Sequence, residues 1–498
     1  MTNTNGITQQ QPIADDLSER QANWILAGLV TVSTLGFWLL ASYKNASFTS
    51  YGQDTAEVGY AFFQTIHGRW FPSFAADYSL FGSHPNFLLL LWLPVFWLVR
   101  SINTLLFLQS LTICLAAWPA YLLARQVTGN RTTALIAAAA LMLFPPVARV
   151  HVAELHDDAL GLVPLLFAFL FFEKGNLKWF VVFLATSLLA KETLVLNTIL
   201  FSVYALLRRR DWRWVVFPAV WSIGYFLFVR RIIMPMFGDW WAGRLYSQAE
   251  YFSSWGSTNS EALCNMVTHP CQVFQTLTKG DRISYLVNFL QPFLLVLPFG
   301  NWAWITGLPA MSVNLMSDSP FLRASTHWYG LLLGAQIWAS FVLALPSWSR
   351  RISAWFGAHN YNRSLCVIVL VVCLTQHHRW LNPAEYQRNQ AHQAQLGAIA
   401  AVPRTASVFC GDHMLPAFAD HPAINSVVAL RFHNQDNNRV LDYEYVIFDG
   451  NYAGLSGEIA MQQKLFHFFS HHPDYRLVFA RNNISVFRRV GTPERTLR

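Results

Sequence analysis

The residues able to do chemistry in this 498-residue chain are few, and they sit between long apolar runs. Asp54 and Glu57 follow the first such run, in SYGQDTAEVGYAFFQTIHGRWF, and His84 comes later in the same stretch. Glu154, His156, Asp157 and Asp158 cluster in AELHDD, and Lys191 and Glu192 adjoin in LLAKETL. Arg230 and Arg231 begin a polar stretch that also holds Arg244, and His327 follows SDSPFLRAST. Carboxylates and imidazoles move protons as general acids and bases. A mixed His and Asp set also suits zinc or manganese, while carboxylates alone suit magnesium or calcium. Asp54, His156 and Asp157, with His84 nearby, are therefore candidate ligands for a divalent metal ion, although no compact ligand motif joins them. Arginine and lysine hold phosphate through charge-assisted hydrogen bonds and stabilise charge on a leaving group.

What positions these residues is a membrane. The chain is 54% hydrophobic, only 12% charged, and carries 20 tryptophans, which excludes a mostly soluble protein. Apolar runs able to cross a hydrocarbon core of ~30 Å recur along it, so the fold class is a polytopic α-helical membrane protein. The net charge of +8 sits in short loops between apolar runs; the positive-inside rule accounts for it, and no nucleic-acid partner is implied. Residues 1–22 read as a cytoplasmic tail without the basic region of a cleavable signal, and Asn23 to Ala41 as a retained first span. The Asn86 to Val99 run is short and holds Pro94, and the charge of later loops favours a shallow or re-entrant segment over a crossing. That topology gives about eleven spans within residues 23–375, a first outer loop over 43–85, and an external C-terminus. It collects Asp54, Glu57, His84, His156, Asp157, Lys191, Glu192, Arg230, Arg231, Arg244 and His327 on one face. Ionisable groups at membrane depth are costly unless paired or lining a polar cavity, so several loops supplying both signs imply a shared cavity.

Residues 376–498 change composition. ASVFCG, YEYVIFDG, YRLVFAR and ISVFRRV read as strands and GEIAMQQKLFHFFSHH as a helix, giving a small soluble α/β domain outside the cytoplasm. Cys264 and Cys271 lie close together in a polar loop and are candidates for a disulfide in an oxidising compartment. Plainer readings stand beside the chemical ones. Asp54 can cap an amphipathic helix whose Val58, Ala61, Phe62, Thr65 and Ile66 lie on lipid. Arg230, Arg231 and Arg244 can anchor to headgroups beside Trp240 and Trp241. His327 with Tyr329 can simply end a helix, Lys191 and Glu192 can pair with neighbours, and His377, His378, His471 and His472 read as solvated surface.

The order of motifs QDTAEVGYAFFQTIHGRWF, SHPNFLLLLWLPVFWLV, AAWPAYLLARQVTGNR, ELHDDALGLVPLLFAFLFFEKG, LLAKETLVL and LPAMSVNLMSD resembles the GT-C glycosyltransferase superfamily, and within it the DUF2079 membrane family. AVPRTASV with DYEYVIFDG resembles that family's outer domain. The resemblance implies transfer of a sugar from a polyprenyl-phosphate-linked donor to a glycan, lipid or protein acceptor at the outer face of a bacterial cytoplasmic (inner) membrane, with membrane lipid as a further partner. It implies that Asp54 is the first-loop acid, serving as base or metal ligand. His156 and Asp157 match the second-loop acidic pair, and Lys191 the basic residue at the third outer turn. Gln53 stands before Asp54, so a paired acid is absent there. Rival readings are a transporter or flippase of lipid-linked material, which predicts internal repeats and polar residues through the membrane, and a non-catalytic membrane assembly protein.

Overall fold

Ser18 opens the first helix, α1 (Glu19–Ala46), with a capping box: its hydroxyl accepts the Gln21 N–H at 3.3 Å and the Gln21 side chain accepts the Ser18 N–H at 2.9 Å. The computed structural model describes residues 17–75, 78–238, 251–324, 327–357, 359–427, 441–452 and 458–491. One side of α1 buries Ala22, Leu26, Phe37 and Ala41, while Trp24, Val32 and Leu39 face outward at 60% exposure or more. An apolar face of that extent on a helix about 42 Å long fits a bilayer and not water.

Among the described residues, Glu19–Ala46, Ile102–Thr128, Trp212–Met236 and Leu331–Phe356 are long and apolar enough to cross a membrane. Arg131–Leu143 and Pro145–Ala153, bent by 57° at their junction, add a fifth when taken as one span. Leu177–Leu188, Glu192–Leu207 and Asn362–Thr375 are apolar but shorter. The apolar runs led to an expectation of about eleven spans, and one of those runs is broken where proline interrupts it. Ile283 to Phe299 reads as one span, yet the helix Gly280–Leu290 gives way to 3-10 turns at Gln291–Phe293 and Leu297–Gly300. Pro292 and Pro298 fall in those turns, and Leu294 and Leu295 between them take φ of 51° and 63°. Asn86 to Val99, expected to be shallow or re-entrant, is a 3-10 turn followed by a six-residue helix about 9 Å long, too short to cross.

The helices pack through small residues and stacked rings. Ala134, Ala137, Ala138 and Ala140 are fully buried and let Arg131–Leu143 lie close to Ala117–Thr128. Phe172, Phe180 and Trp214 interlock nearby, with Phe180 stacked on Trp214 at 5.2 Å between ring centroids.

The C-terminal domain carries a five-stranded sheet of order β2-β1-β3-β5-β4, with β1 (Val408–Phe409), β2 (Ile424–Asn425), β3 (Tyr445–Asp449), β4 (Tyr475–Arg481) and β5 (Ile484–Arg489). β1 runs parallel to β2 and β3, and the other pairs are antiparallel. Alternation along β3 sends Val446 and Phe448 to a face covered by Phe469 of the helix Glu458–His471, and Tyr445 and Ile447 to the opposite face. Four strands and this helix are visible in the sequence; β2, two residues long, is not.

That opposite face meets the second helix, α2 (Gln53–Thr65). Ala56 and Tyr60 pack with Met414, Leu415 and Phe418 of the domain, and Val58, Ala61 and Phe62 pack with Phe71, Phe96 and Leu105 of the helical bundle. The expectation that Val58, Ala61 and Phe62 lie on lipid is therefore corrected: both sides of α2 are occupied by protein. The cap is corrected too. Gly52 is the N-cap at φ 83°, and Asp54 sits in the first turn. A Cβ on Gly52 would stand 2.2 Å from the Asp412 carbonyl oxygen, so glycine is required both by its backbone angle and by the close approach of the C-terminal domain.

Candidate active site

The N-terminus of α2 is held by a carboxylate from another loop. Glu154 Oε2 accepts the backbone N–H groups of Asp54 at 2.8 Å and Thr55 at 3.1 Å, which are otherwise unsatisfied at a helix start. Thr55 returns the contact, its hydroxyl accepting the Leu155 N–H at 3.1 Å. Gln109, fully buried, donates to the carbonyls of Val150 and Glu154 and accepts the His156 N–H. This clamp fixes 154–156 against α2 and sets His156 Nδ1 3.6 Å from Asp54 Oδ2.

A second set of contacts ties in the remaining loops. Asn86 Nδ2 donates to the Asp157 carbonyl at 2.8 Å, and the Phe87 N–H donates to the Leu189 carbonyl at 2.9 Å. Lys191 Nζ lies 3.5 Å from Asp158 Oδ2, and His84 Nδ1 lies 2.7 Å from Glu192 Oε1. The stretches at 54–57, 84–87, 154–158 and 189–192 thus converge.

Charge in the recess is finely set. Asp54 opens at 41% side-chain exposure into a recess walled by protein, and its pKa rises to about 7: burial is the main cause, Lys191 opposes it, and Asp157 and Asp158 add to it. Glu57, one turn along, also rises to about 7 through burial, against hydrogen bonds from Ser73 and Phe74. Burial holds His156 well below the usual histidine range, aided by the charges of Lys191 and His327, so its imidazole is neutral. Burial alone would lower Lys191, but Asp158, Asp157 and Glu192 outweigh it and keep the ammonium charged.

Asp54, Glu57, His84, His156, Asp157, Lys191 and Glu192 are therefore brought together. His327 lies beside them, 6.4 Å from Tyr51 between ring centroids, on the wall of a cavity of about 380 Å³ that Arg323, Arg379 and Phe289 also line. Arg230 and Arg231 sit in a π-turn at the end of the Trp212–Phe228 helix, where Arg230 is half-buried with Met234 Sδ at 3.6 Å and Arg231 is exposed. Arg244, Trp240 and Trp241 lie outside the described residues.

Two expectations are corrected. Among the described residues no three His, Cys, Asp or Glu side chains come close enough to hold a metal, so Asp54, His156 and Asp157 do not form a ligand set. Asp54 faces His156 while the adjacent loop is turned toward Asn86 and Lys191, and Glu154 is engaged in capping α2. Cys264 and Cys271 are both free and exposed rather than bonded. Each lies in its own short helix, Asn259–Thr268 and Pro270–Leu277, separated by a break at His269.

Sequence reasoning missed Gln109, whose only signal was an amide inside an apolar run. It also missed a buried ion cluster: Lys44 Nζ at 2.6 Å and Arg149 at 3.0 Å from Glu385 Oε2. Lys44 ends the first apolar run and Arg149 the fourth, where cations are ordinarily read as headgroup anchors.

A family model described as "Predicted membrane protein (DUF2079)" matches residues 60–486. The chain belongs to this DUF2079 family. No curated protein matches the sequence. Among solved structures, the DUF2079 protein is similar to ArnT from Cupriavidus metallidurans bound to undecaprenyl phosphate, with 13% identity, 95% of this chain and 99% of that chain covered, and a TM-score of 0.56. Apo ArnT gives 14% identity over 93% and 97% of the two chains with a TM-score of 0.52. The Archaeoglobus fulgidus oligosaccharyltransferase complex with Zn and sulfate gives 12% over 91% and 73%, with a TM-score of 0.41. The likeness to the two ArnT structures gives the DUF2079 chain the GT-C fold: a polytopic helical membrane protein with a small C-terminal α/β domain.

Proposed function

We propose that this protein is a membrane glycosyltransferase that moves a sugar from a polyprenyl-phosphate donor to an acceptor at the outer face of a bacterial cytoplasmic membrane, with the C-terminal domain on that same side. The observation that carries the reading is Asp54: a carboxylate with a pKa of about 7, in a recess beside neutral His156 and charged Lys191. A general base works best when its pKa lies near the working pH. In the reaction the acceptor oxygen bonds to the anomeric carbon, the bond from that carbon to the phosphate oxygen breaks, and Asp54 takes the acceptor's proton. His156 orients Asp54, and Lys191 stabilises the departing phosphate. No step is routed through a metal.

Similarity to a protein that binds undecaprenyl phosphate supports the donor class. The seating of the C-terminal domain on α2, two residues from Asp54, supports a part for that domain in presenting the acceptor. The test is transfer from polyprenyl-phosphate-linked sugars to cell-envelope acceptors by the purified full chain. Asp54→Asn should lower turnover by about 10²–10⁴-fold, the range of a lost general base. Full activity in that variant would remove the proposal's foundation.

A further inference from the structure

Lys44, Arg149 and Glu385 form a buried ion cluster that the chemistry above does not use. Lys44 lies in the last turn of α1, Arg149 follows Pro145–Ala148, and Glu385 belongs to the short turn Pro383–Tyr386 on the way from the last apolar helix to the C-terminal domain. Both cations are 5% exposed and converge on a single carboxylate oxygen, whereas Glu385 is 25% exposed and forms the outer lip. Such desolvated charge is expensive to maintain.

Unmet hydrogen-bonding capacity lies in the same chain segments as the cluster. The Tyr386 hydroxyl, close enough to feel the charge of Arg149, is enclosed without a partner among the described residues. So are Trp380 Nε1 and both ring nitrogens of His151, and His151 and Trp380 pack on the same α1 side chain, Phe37. Native interiors rarely leave so many donors unsatisfied in one place. Charge links the cluster to the candidate active site: Glu154 acts electrostatically on Lys44, and Arg149 acts on His327.

We infer that Lys44 and Arg149 form a phosphate-binding site in which Glu385 stands in for the ligand, so that an anionic headgroup exchanges with Glu385 and frees the linker to the C-terminal domain. The preferred ligand, a prenyl phosphate, rests on the function proposed above; the anion chemistry does not. Two cations converging on one oxygen, with the Tyr386 hydroxyl on the next residue, make a donor set that phosphate fills by the same charge-assisted hydrogen bonds as a carboxylate. Exchange also avoids leaving two buried cations bare.

The test is titration of the full chain in detergent with farnesyl phosphate, farnesol and inorganic phosphate. Glu385 now competes with the ligand, so Glu385→Gln should tighten farnesyl phosphate binding by roughly tenfold if the carboxylate occupies the site about 90% of the time. Lys44→Met and Arg149→Met should weaken it at least as much, and Lys44→Arg should retain it. In hydrogen exchange, residues 376–391 should lose protection when farnesyl phosphate binds the wild type. Tightening by Glu385→Gln for inorganic phosphate as strongly as for farnesyl phosphate identifies a free anion as the ligand and keeps the site. Unchanged or weaker farnesyl phosphate binding by a folded Glu385→Gln chain, or equal binding of farnesol, overturns the inference. No sugar is transferred in this experiment. Tightening without glycosyl transfer would leave the site and remove the proposed function, while transfer without tightening would do the reverse.

Discussion

Between pH 6 and 8 the transfer rate should rise about tenfold, because a base with a pKa of about 7 passes from roughly 9% to roughly 91% ionised over that window. An unperturbed aspartate, with a pKa near 3.9, would give a flat profile over the same range. His156 is held neutral throughout and adds no inflection. Glu57 titrates in the same window, so Glu57→Gln is the control, and its profile must keep an inflection that Asp54→Asn abolishes. Lys191 favours the ionised form of Asp54, so Lys191→Met should move the midpoint of the residual activity upward by about one unit. Stability has the opposite dependence. With its folded pKa above its unfolded one, Asp54 loses its proton first in the unfolded chain, and the fold weakens as pH rises from about 4 to about 7. Asp54→Asn should therefore raise Tm at pH 8, leave it unchanged at pH 4, and lower the rate by about 10²–10⁴-fold. The assay is initial-rate transfer in a constant-ionic-strength buffer series, with thermal shift on the same samples. A flat wild-type profile, or a midpoint that moves to acid in Lys191→Met, would refute the electrostatic account of the recess.

Three further outcomes follow from the packing. Gly52→Ala should lower stability by ~1–3 kcal/mol from its backbone angle alone, with more from the collision with Asp412, and thermal unfolding measures it. In the C-terminal domain His413 Nε2 lies 3.0 Å from Asp449 Oδ2, both essentially unexposed; burial would raise Asp449, but His413 and Gln395 outweigh it and hold its pKa down. His413→Leu removes the imidazole from that buried carboxylate, leaving it Gln395 and Asn451, and should cost about 3 kcal/mol in chemical denaturation, while in the wild type this stabilisation fades as pH falls below about 4. Cys264 and Cys271 should both react with a maleimide in the folded, unreduced protein, and failure of both to label until reduction would mean that the two are bonded.

How much of this was legible beforehand depended on whether a residue's role was local. Asp54, His156 and Lys191 stand out because a charge beside an apolar run is conspicuous in any sequence, and the strands of the C-terminal domain announce themselves by alternation along β3. The first span, Asn23 to Ala41, was visible as an apolar run. What sequence could not supply was partnership across long separations. Val58 and Phe62 suit lipid and protein equally well by pattern, and only the arrival of Phe71, Phe96 and Leu105 decides for protein. Glu154 looks like a third catalytic acid until its two backbone donors are seen. Lys44 and Glu385 are separated by 341 positions, and nothing local in either marks the pair.

The seating of α2 also bears on how the protein is made. This helix leaves the ribosome about 350 residues before the segment around Asp412 that completes its outer side; at a synthesis rate of ~5–20 residues per second, that is a wait of roughly 20–70 s. During that time Ala56 and Tyr60 lack their final partners. A nascent chain arrested before residue 400 should hold the bundle side of the helix and leave Asp54 loosely placed. Final placement of Asp54, the proposed base, would then be among the last events of biogenesis, which would keep an incomplete chain from carrying out the proposed transfer.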